Sequence, residues 1–329
     1  MVKAYPHNSQ YVAGIDLGGT NIEIGILDQE GVIANRTTLP TNRFADANEF
    51  VEAVHLILPE LVPGGLSNLM AIGIGAPNGN YYTGCMEDAP NLKWEGIVPL
   101  SKLFQNTIPI PCLVTNDANA AALGEKFFGD AKDMETFIMV TLGTGLGSGI
   151  VINGEVLYGK SGFAGELGHT NLIPGGRSCS CGGKGCLETY VSARGLVWNT
   201  LDLMADAPYK GILAHTPPGE LTPKIIYDAA IQGDKIALEA FHITGSYLGR
   251  ALADVVALLS PECIFLFGGL MQAGDLLQKP ITDSLHQTLL PIFKGSVQVK
   301  TSALKESSAA VLGAGALAWS ELRKRRVTS

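Results

Sequence analysis

One histidine and three cysteines stand at a spacing that can hold a metal: His169, followed after nine residues by Cys179-Ser180-Cys181 and after four more by Cys186. An imidazole and three thiolates complete a closed tetrahedral zinc shell, and Gly182, Gly183 and Gly185 let the backbone wrap tightly around it. A histidine alone is more often a core or surface residue; beside C-x-C-x4-C it reads as the fourth ligand. Four protein ligands leave no open position, so the zinc is expected to be structural and not a Lewis acid. It would anchor a loop bearing Glu166 at one end and Glu188 at the other, and two carboxylates with an imidazole edge are what a polyol needs for directional hydrogen bonds. Such a cluster suits metal better than disulfides in a reducing compartment; Cys85, Cys112 and Cys263 are expected to be core or loop thiols.

Two glycine clusters carry a second chemistry. Asp16-Leu17-Gly18-Gly19-Thr20 and Gly143-Thr144-Gly145-Leu146-Gly147 match neither the G-x-x-x-x-G-K-[ST] loop nor a G-x-G-x-x-G turn leading into a helix, because strand-like sequence follows both. They read as hairpin tips. Bare backbone N–H groups at such tips can approach phosphate oxygens closely, and Asp16 can orient a hydrated Mg²⁺ while Thr20 adds a hydroxyl. The plainer reading is that the glycines serve only the turn. Two tips, each with Gly and Thr, favour a clamp that holds a triphosphate with one hairpin from each of two domains. Asn116-Asp117 sits where a strand ends and a helix begins. Asp117 is either the N-cap of that helix or a carboxylate aimed into a ligand site at the C-terminal edge of a sheet.

The elements that must position these residues follow from apolar periodicity. Tyr11 to Leu39 alternates through three short runs, a meander, and Thr136 to Leu157 repeats it, which suggests a duplicated domain. A helix (Ala47 to Leu61), a strand (Ala71 to Ala76), a loop (Pro77 to Trp94), a strand (Cys112 to Thr115) and a helix (Ala118 to Phe128) lie between them. Beyond Thr222 come a long helix (Asp234 to Leu259), a strand (Ile264 to Phe267) ending in Gly268-Gly269, a last strand (Val297 to Lys300) and a helix (Ala309 to Leu322). Ala251 to Leu259 and Ile264 to Phe267 read as a buried helix end and a buried strand. The alternation argues for an α/β architecture with mixed sheets. Met204 to Thr222, rich in Pro and Gly, reads as a surface excursion.

With 329 residues, 46% of them hydrophobic, the chain can bury a sizeable core in two domains. A formal charge of -8 makes nucleic acid a poor partner, and the basic run Arg323 to Arg326 reads as a solvated tail. No apolar stretch approaches a membrane span and no signal-peptide h-region precedes the first strand, so no membrane partner and a cytoplasmic location are expected.

In their order, Asp16-Leu17-Gly18-Gly19-Thr20, Ala89-Pro90-Asn91-Leu92, Asn116-Asp117-Ala118-Asn119-Ala120, Leu142 to Gly147, Glu166-x-Gly168-His169, the cysteine cluster ending in Glu188, and Gly268-Gly269 resemble the ROK family of sugar kinases, and within it the bacterial-type glucokinases. The resemblance covers nearly the whole chain. It implies the hexokinase/actin-like (ribonuclease H-like) duplicated fold, with a small domain of 1–117 plus about 305–329, a large domain of 118–304 and a cleft between them. It implies ATP with Mg²⁺ as donor, a hexose as acceptor, Asp117 as general base, and Gly75, Asn91, Asn116, Glu166, His169 and Glu188 as sugar contacts. His169 would serve zinc with one ring nitrogen and sugar with the other. Nucleotide would be held by Asp16, Gly18, Gly19, Thr20, Thr141, Gly143, Thr144 and Gly145, with Gly268 and Gly269 as the adenosine turn. A homodimer or homotetramer is implied. Ser180 departs from the family's usual Gly, and Met204 to Thr222 is longer than usual. An N-acetylhexosamine, mannose or fructose as acceptor, and polyphosphate as donor, stay open. So does a sugar-sensing regulator, although only fifteen residues precede Asp16, too few for a helix-turn-helix head. An actin-like ATPase would have no reason for Glu166, His169, the cysteines and Glu188.

Overall fold

Apolar residues fill nearly every position of β1 (Tyr11–Leu17) and β4 (Leu69–Gly75), because both faces of their sheet are covered. The computed structural model describes residues 10–89, 92–205 and 210–328. With β2 (Asn21–Leu27), β3 (Ile33–Pro40) and β8 (Cys112–Thr115) they form a sheet in the order β3-β2-β1-β4-β8. β1 runs antiparallel to β2 and parallel to β4, and β4 parallel to β8. Tyr11, Ala13, Ile15 and Leu17 point to one face, where Phe50, Val54 and Leu58 of α1 (Ala47–Leu61) and Phe104 of α2 (Leu100–Thr107) join them in one core. Val12 points the other way, to Val311, Ala318 and Trp319 of α8 (Glu306–Thr328).

That second face is closed by contact of backbone on backbone. A Cβ on Gly73 of β4 would stand 1.9 Å from the Ala314 carbonyl of α8, and one on Gly313 would stand 2.3 Å from the Ala120 carbonyl of α3 (Asp117–Phe128). Small residues are therefore the condition for α8 to lie between the sheet and α3. Between β4 and β8 a small sheet of β5 (Gly79–Asn80), β6 (Cys85–Glu87) and β7 (Ile97–Val98) interrupts what reads in sequence as a loop.

The second sheet repeats the first. β9 (Phe137–Leu142), β10 (Leu146–Ile152), β11 (Glu155–Val156), β12 (Cys263–Phe267) and β13 (Gln298–Thr301) take the order β11-β10-β9-β12-β13, with β12 parallel to both neighbours. Two meanders, each extended by parallel strands, are the duplication expected from the sequence. α4 (Ala193–Ala205), α5 (Pro223–Ala230), α6 (Lys235–Leu259) and α7 (Asp275–Thr288) complete the set. The end of α6 is amphipathic and not wholly buried as expected: Leu252 and Val256 are enclosed, whereas Leu258 is 82% exposed. Cys85, Cys112 and Cys263 are buried, as expected of core thiols.

The described residues form two compact units, one drawn from 1–135, 149–164 and 303–329 and the other from 136–148 and 165–302. The first therefore runs beyond the boundary placed after residue 117, since α3 packs on α8. Met204 to Thr222 carries two 3-10 turns, Ile212–His215 and Pro218–Glu220; residues 206–209 of that stretch lie outside the described residues. No described helix is long and apolar enough to cross a membrane.

Candidate active site

In the first unit, β1 delivers Asp16 to its C-terminal end, where its register partners are Glu23 on β2 and Gly75 on β4. A Cβ on Gly75 would lie 3.8 Å from Asp117 Cα and 3.9 Å from Asp16 Oδ1, so the bare backbone of Gly75 stands between the two aspartates. Asp16 is half-buried, and its carboxyl is raised from the ordinary 3.8 to about 7, first by desolvation, then by the charges of Asp117 and Glu23.

Asp117 is not the helix cap. Asn116 takes that place, its Oδ1 accepting from Asn119 N–H at 2.8 Å, which leaves Asp117 as the first residue of α3. Water reaches the Asp117 side chain, yet surrounding protein desolvates it enough to raise its pKa, while the Ala118 N–H, donating to Oδ1 at 2.8 Å, pulls the other way. Asn116 thus has its oxygen committed and its Nδ2 to offer as a donor. The tip between β1 and β2 is closed by Gly18 N–H donating to Asn21 O at 3.0 Å, so that amide is committed to the turn. Thr41 fastens the tip from the end of β3: its N–H donates to Thr20 O at 2.9 Å and its hydroxyl to Gly18 O at 2.7 Å.

In the second unit the four metal-type side chains converge. One ligand atom from each of His169, Cys179, Cys181 and Cys186 lies within 4.8 Å of all the others. His169 Nδ1 is 3.6 Å from Cys179 Sγ, and Cys181 Sγ is 3.6 Å from Cys186 Sγ. A tetrahedron with zinc–sulfur bonds of about 2.3 Å has edges of roughly 3.6–3.8 Å, so the donor set fits a four-coordinate ion. Gly183 N–H also donates to Cys181 Sγ at 3.4 Å and favours the thiolate, lowering that thiol's pKa. Gly185 must be glycine: its φ is +78°, and a Cβ would meet the Ile173 carbonyl at 1.8 Å.

The other imidazole nitrogen, Nε2, points toward Glu166, 3.9 Å from Oε2. Glu188 follows Cys186 by two residues, and its Oε2 accepts from Leu146 N–H at 3.0 Å, at the base of the second hairpin tip. That tip closes through Gly143 N–H to Gly145 O at 3.0 Å and receives the Ala193 N–H on Gly143 O at 2.9 Å. Thr141 pairs with Phe267, so Gly268 and Gly269 leave the same strand edge as Gly143, Thr144 and Gly145. The cysteine loop, the Glu166 turn and the nucleotide-type tip therefore form one connected group within this unit.

Asn91 lies outside the described residues. Two positioning residues carry no signal in a single sequence: Thr41, and Arg177, whose guanidinium lies 4.4 Å over the Tyr190 ring and donates to Thr189 O at 2.8 Å, bracing the turn that carries Glu188.

The family model of the ROK family matches residues 12–321. A glucokinase of Halalkalibacterium halodurans is 35% identical over 314 residues, covering 94% of each chain. The xylose repressor of Caldicellulosiruptor bescii is 30% identical over 315 residues, 94% of this chain and 78% of the repressor. The crystal structure of a ROK family glucokinase from Streptomyces griseus, in complex with glucose and AMPPNP, superposes with a TM-score of 0.77 at 33% identity, covering 94% of this chain and 99% of that one.

Proposed function

From the premise that this chain belongs to the ROK family, we propose that it is an ATP-dependent hexose kinase with glucose as its preferred acceptor. The observation that carries the reading is Asp117: a carboxylate relieved of capping duty, reached by water, with its pKa raised toward the range where a base is most effective. Asp117 accepts the proton of the sugar O6 hydroxyl as the O6–phosphorus bond forms and the bond from phosphorus to the ADP oxygen breaks. Phosphoryl transfer asks little covalent chemistry of the protein, so the remaining residues position and neutralise.

Gly19 and Thr20 in the first unit, and Thr141, Thr144, Gly145, Gly268 and Gly269 in the second, hold the nucleotide in this reading. Gly18 and Gly143 shape the tips, their amides being committed to the turns. A divalent cation bound with the nucleotide neutralises phosphate charge, and the crowded Asp16 carboxylate fits an electrostatic partner for it. Gly75, Asn91, Asn116, Glu166, His169 and Glu188 bind the sugar; Glu188 keeps Oε1 for that purpose. His169 Nδ1, Cys179, Cys181 and Cys186 would hold a structural zinc, which would fix the imidazole and leave Nε2 for the substrate.

The xylose repressor's similarity keeps a second reading, a regulator that binds sugar without turnover. A panel of glucose, mannose, fructose, N-acetylglucosamine and N-acetylmannosamine, assayed with ATP and Mg²⁺ for ADP release, separates the two. Highest kcat/KM with glucose is expected. An N-acetylated sugar in first place moves the substrate assignment, and sugar binding without ADP release favours the regulator.

A further inference from the structure

A pocket of about 110 Å³ lies against the first hairpin tip, wholly within the first unit, and Gly19, Thr41, Asn42, Phe44, Lys93 and Trp94 are among its lining. Its floor is fixed by the two hydrogen bonds from Thr41 to Thr20 O and Gly18 O. Its wall is fixed by Trp94, which is buried, donates Nε1–H to Phe44 O at 3.5 Å and packs its ring 5.5 Å from that of Phe50. The backbone of Lys93 is therefore held by its neighbour while its own side chain is exposed. Among the described residues the ion pairs engage other cations, and the Lys93 ammonium has no carboxylate partner. In a chain of formal charge -8, an unpaired cation beside a glycine tip is an arrangement that attracts an anion.

Resting on the kinase reading, we propose that Lys93, with the Asn42 amide and the Gly19 N–H, forms an anion subsite for the terminal phosphoryl group of the donor. The pocket's size suits a phosphoryl group, and its donors are of three kinds: an ammonium, a side-chain amide and a backbone amide. An ammonium on a flexible stem acts as a point charge, able to follow the group as it changes partners. Lys93 makes and breaks no bond. It neutralises phosphoryl oxygens while phosphorus passes from the ADP oxygen to O6 and the proton passes to Asp117, and so it is a positioning residue.

The test is a direct binding measurement that needs no turnover: calorimetric titration of the full chain with inorganic tripolyphosphate and Mg²⁺, without sugar, at low and high salt. Lys93→Gln is expected to weaken binding about tenfold and flatten its salt dependence. Lys93→Arg, which keeps the charge, should stay within about threefold of wild type. Arg43→Gln removes a nearby cation that lies over the Phe44 ring and outside the pocket lining, and should leave binding unchanged. Undetectable binding by the wild type, wild-type affinity in Lys93→Gln, or an equal loss in Arg43→Gln overturns the subsite. Failure of the kinase reading registers separately, as the absence of ADP release with every sugar in the panel.

Discussion

Two aspartates of the first unit repel one another, and the repulsion has a sign that stability can read. The Asp16 carboxyl, ordinarily at 3.8, is raised to about 7 by desolvation and by Asp117 and Glu23, so the folded chain holds that proton where the unfolded chain has lost it. Its contribution is therefore level below about pH 4, falls as pH rises through the interval up to about 7, and is level again above. Asp16→Asn removes this loss: its Tm relative to wild type should climb between about pH 4 and pH 7, measured without nucleotide, and a constant difference would contradict the account. At this scale the sequence was informative about residue type and silent about duty. In sequence Asp117 itself could be read as the cap; the backbone path gives that place to Asn116, whose Oδ1 accepts from Asn119 N–H, and so frees Asp117. The two-sided use of His169 was legible as a possibility, and the structure turns Nδ1 to the thiols and Nε2 toward Glu166.

The cysteine loop and helix α8 are the elements whose removal has consequences beyond their own length. The loop places Glu166 and Glu188 through backbone pairing as well as through its ligands, including Leu187 N–H to Thr170 O at 2.9 Å. Cys186→Ser should reduce bound zinc from about one ion per chain, lower Tm and raise the sugar dissociation constant together. Loss of metal with sugar affinity intact would break the link between the ion and the site. For α8, Gly73→Val puts a branched side chain where even a Cβ meets the Ala314 carbonyl, and is expected to cost about 3 kcal/mol or more in a denaturant titration. Gly219→Ala, which meets nothing within 4 Å, should be close to neutral. The meanders and helices α1, α3, α6 and α8 were readable because burial imposes a period on them, whereas α4 and α7 were not picked out. The β5-β6-β7 sheet was not, since strands of two or three residues are too short to show a period, and the tight seat of α8 is a pairing of distant small residues that no local pattern reports.

At the scale of the whole chain, the repeated strand order β3-β2-β1-β4-β8 and β11-β10-β9-β12-β13 accounts for why chemistry comes in two instalments. Each unit contributes a glycine tip at the end of its first strand; the first adds Asp16 and Asp117, the second adds Glu166 and Glu188 beside the His169 and cysteine cluster. The repeat of meanders was visible in sequence, while the extent of each unit was not, because assignment of α3 depends on its packing against α8. The choice of sugar depends on the room around the ring rather than on motif, and the panel of acceptors answers it. The central claim is narrower: Asp117 takes the proton in phosphoryl transfer to a sugar. Steady-state turnover of Asp117→Asn with glucose and ATP, alongside its glucose dissociation constant, tests it most directly. The account predicts a kcat lower by about 10²- to 10⁴-fold with glucose affinity within about threefold of wild type; a kcat near that of the wild type would contradict it.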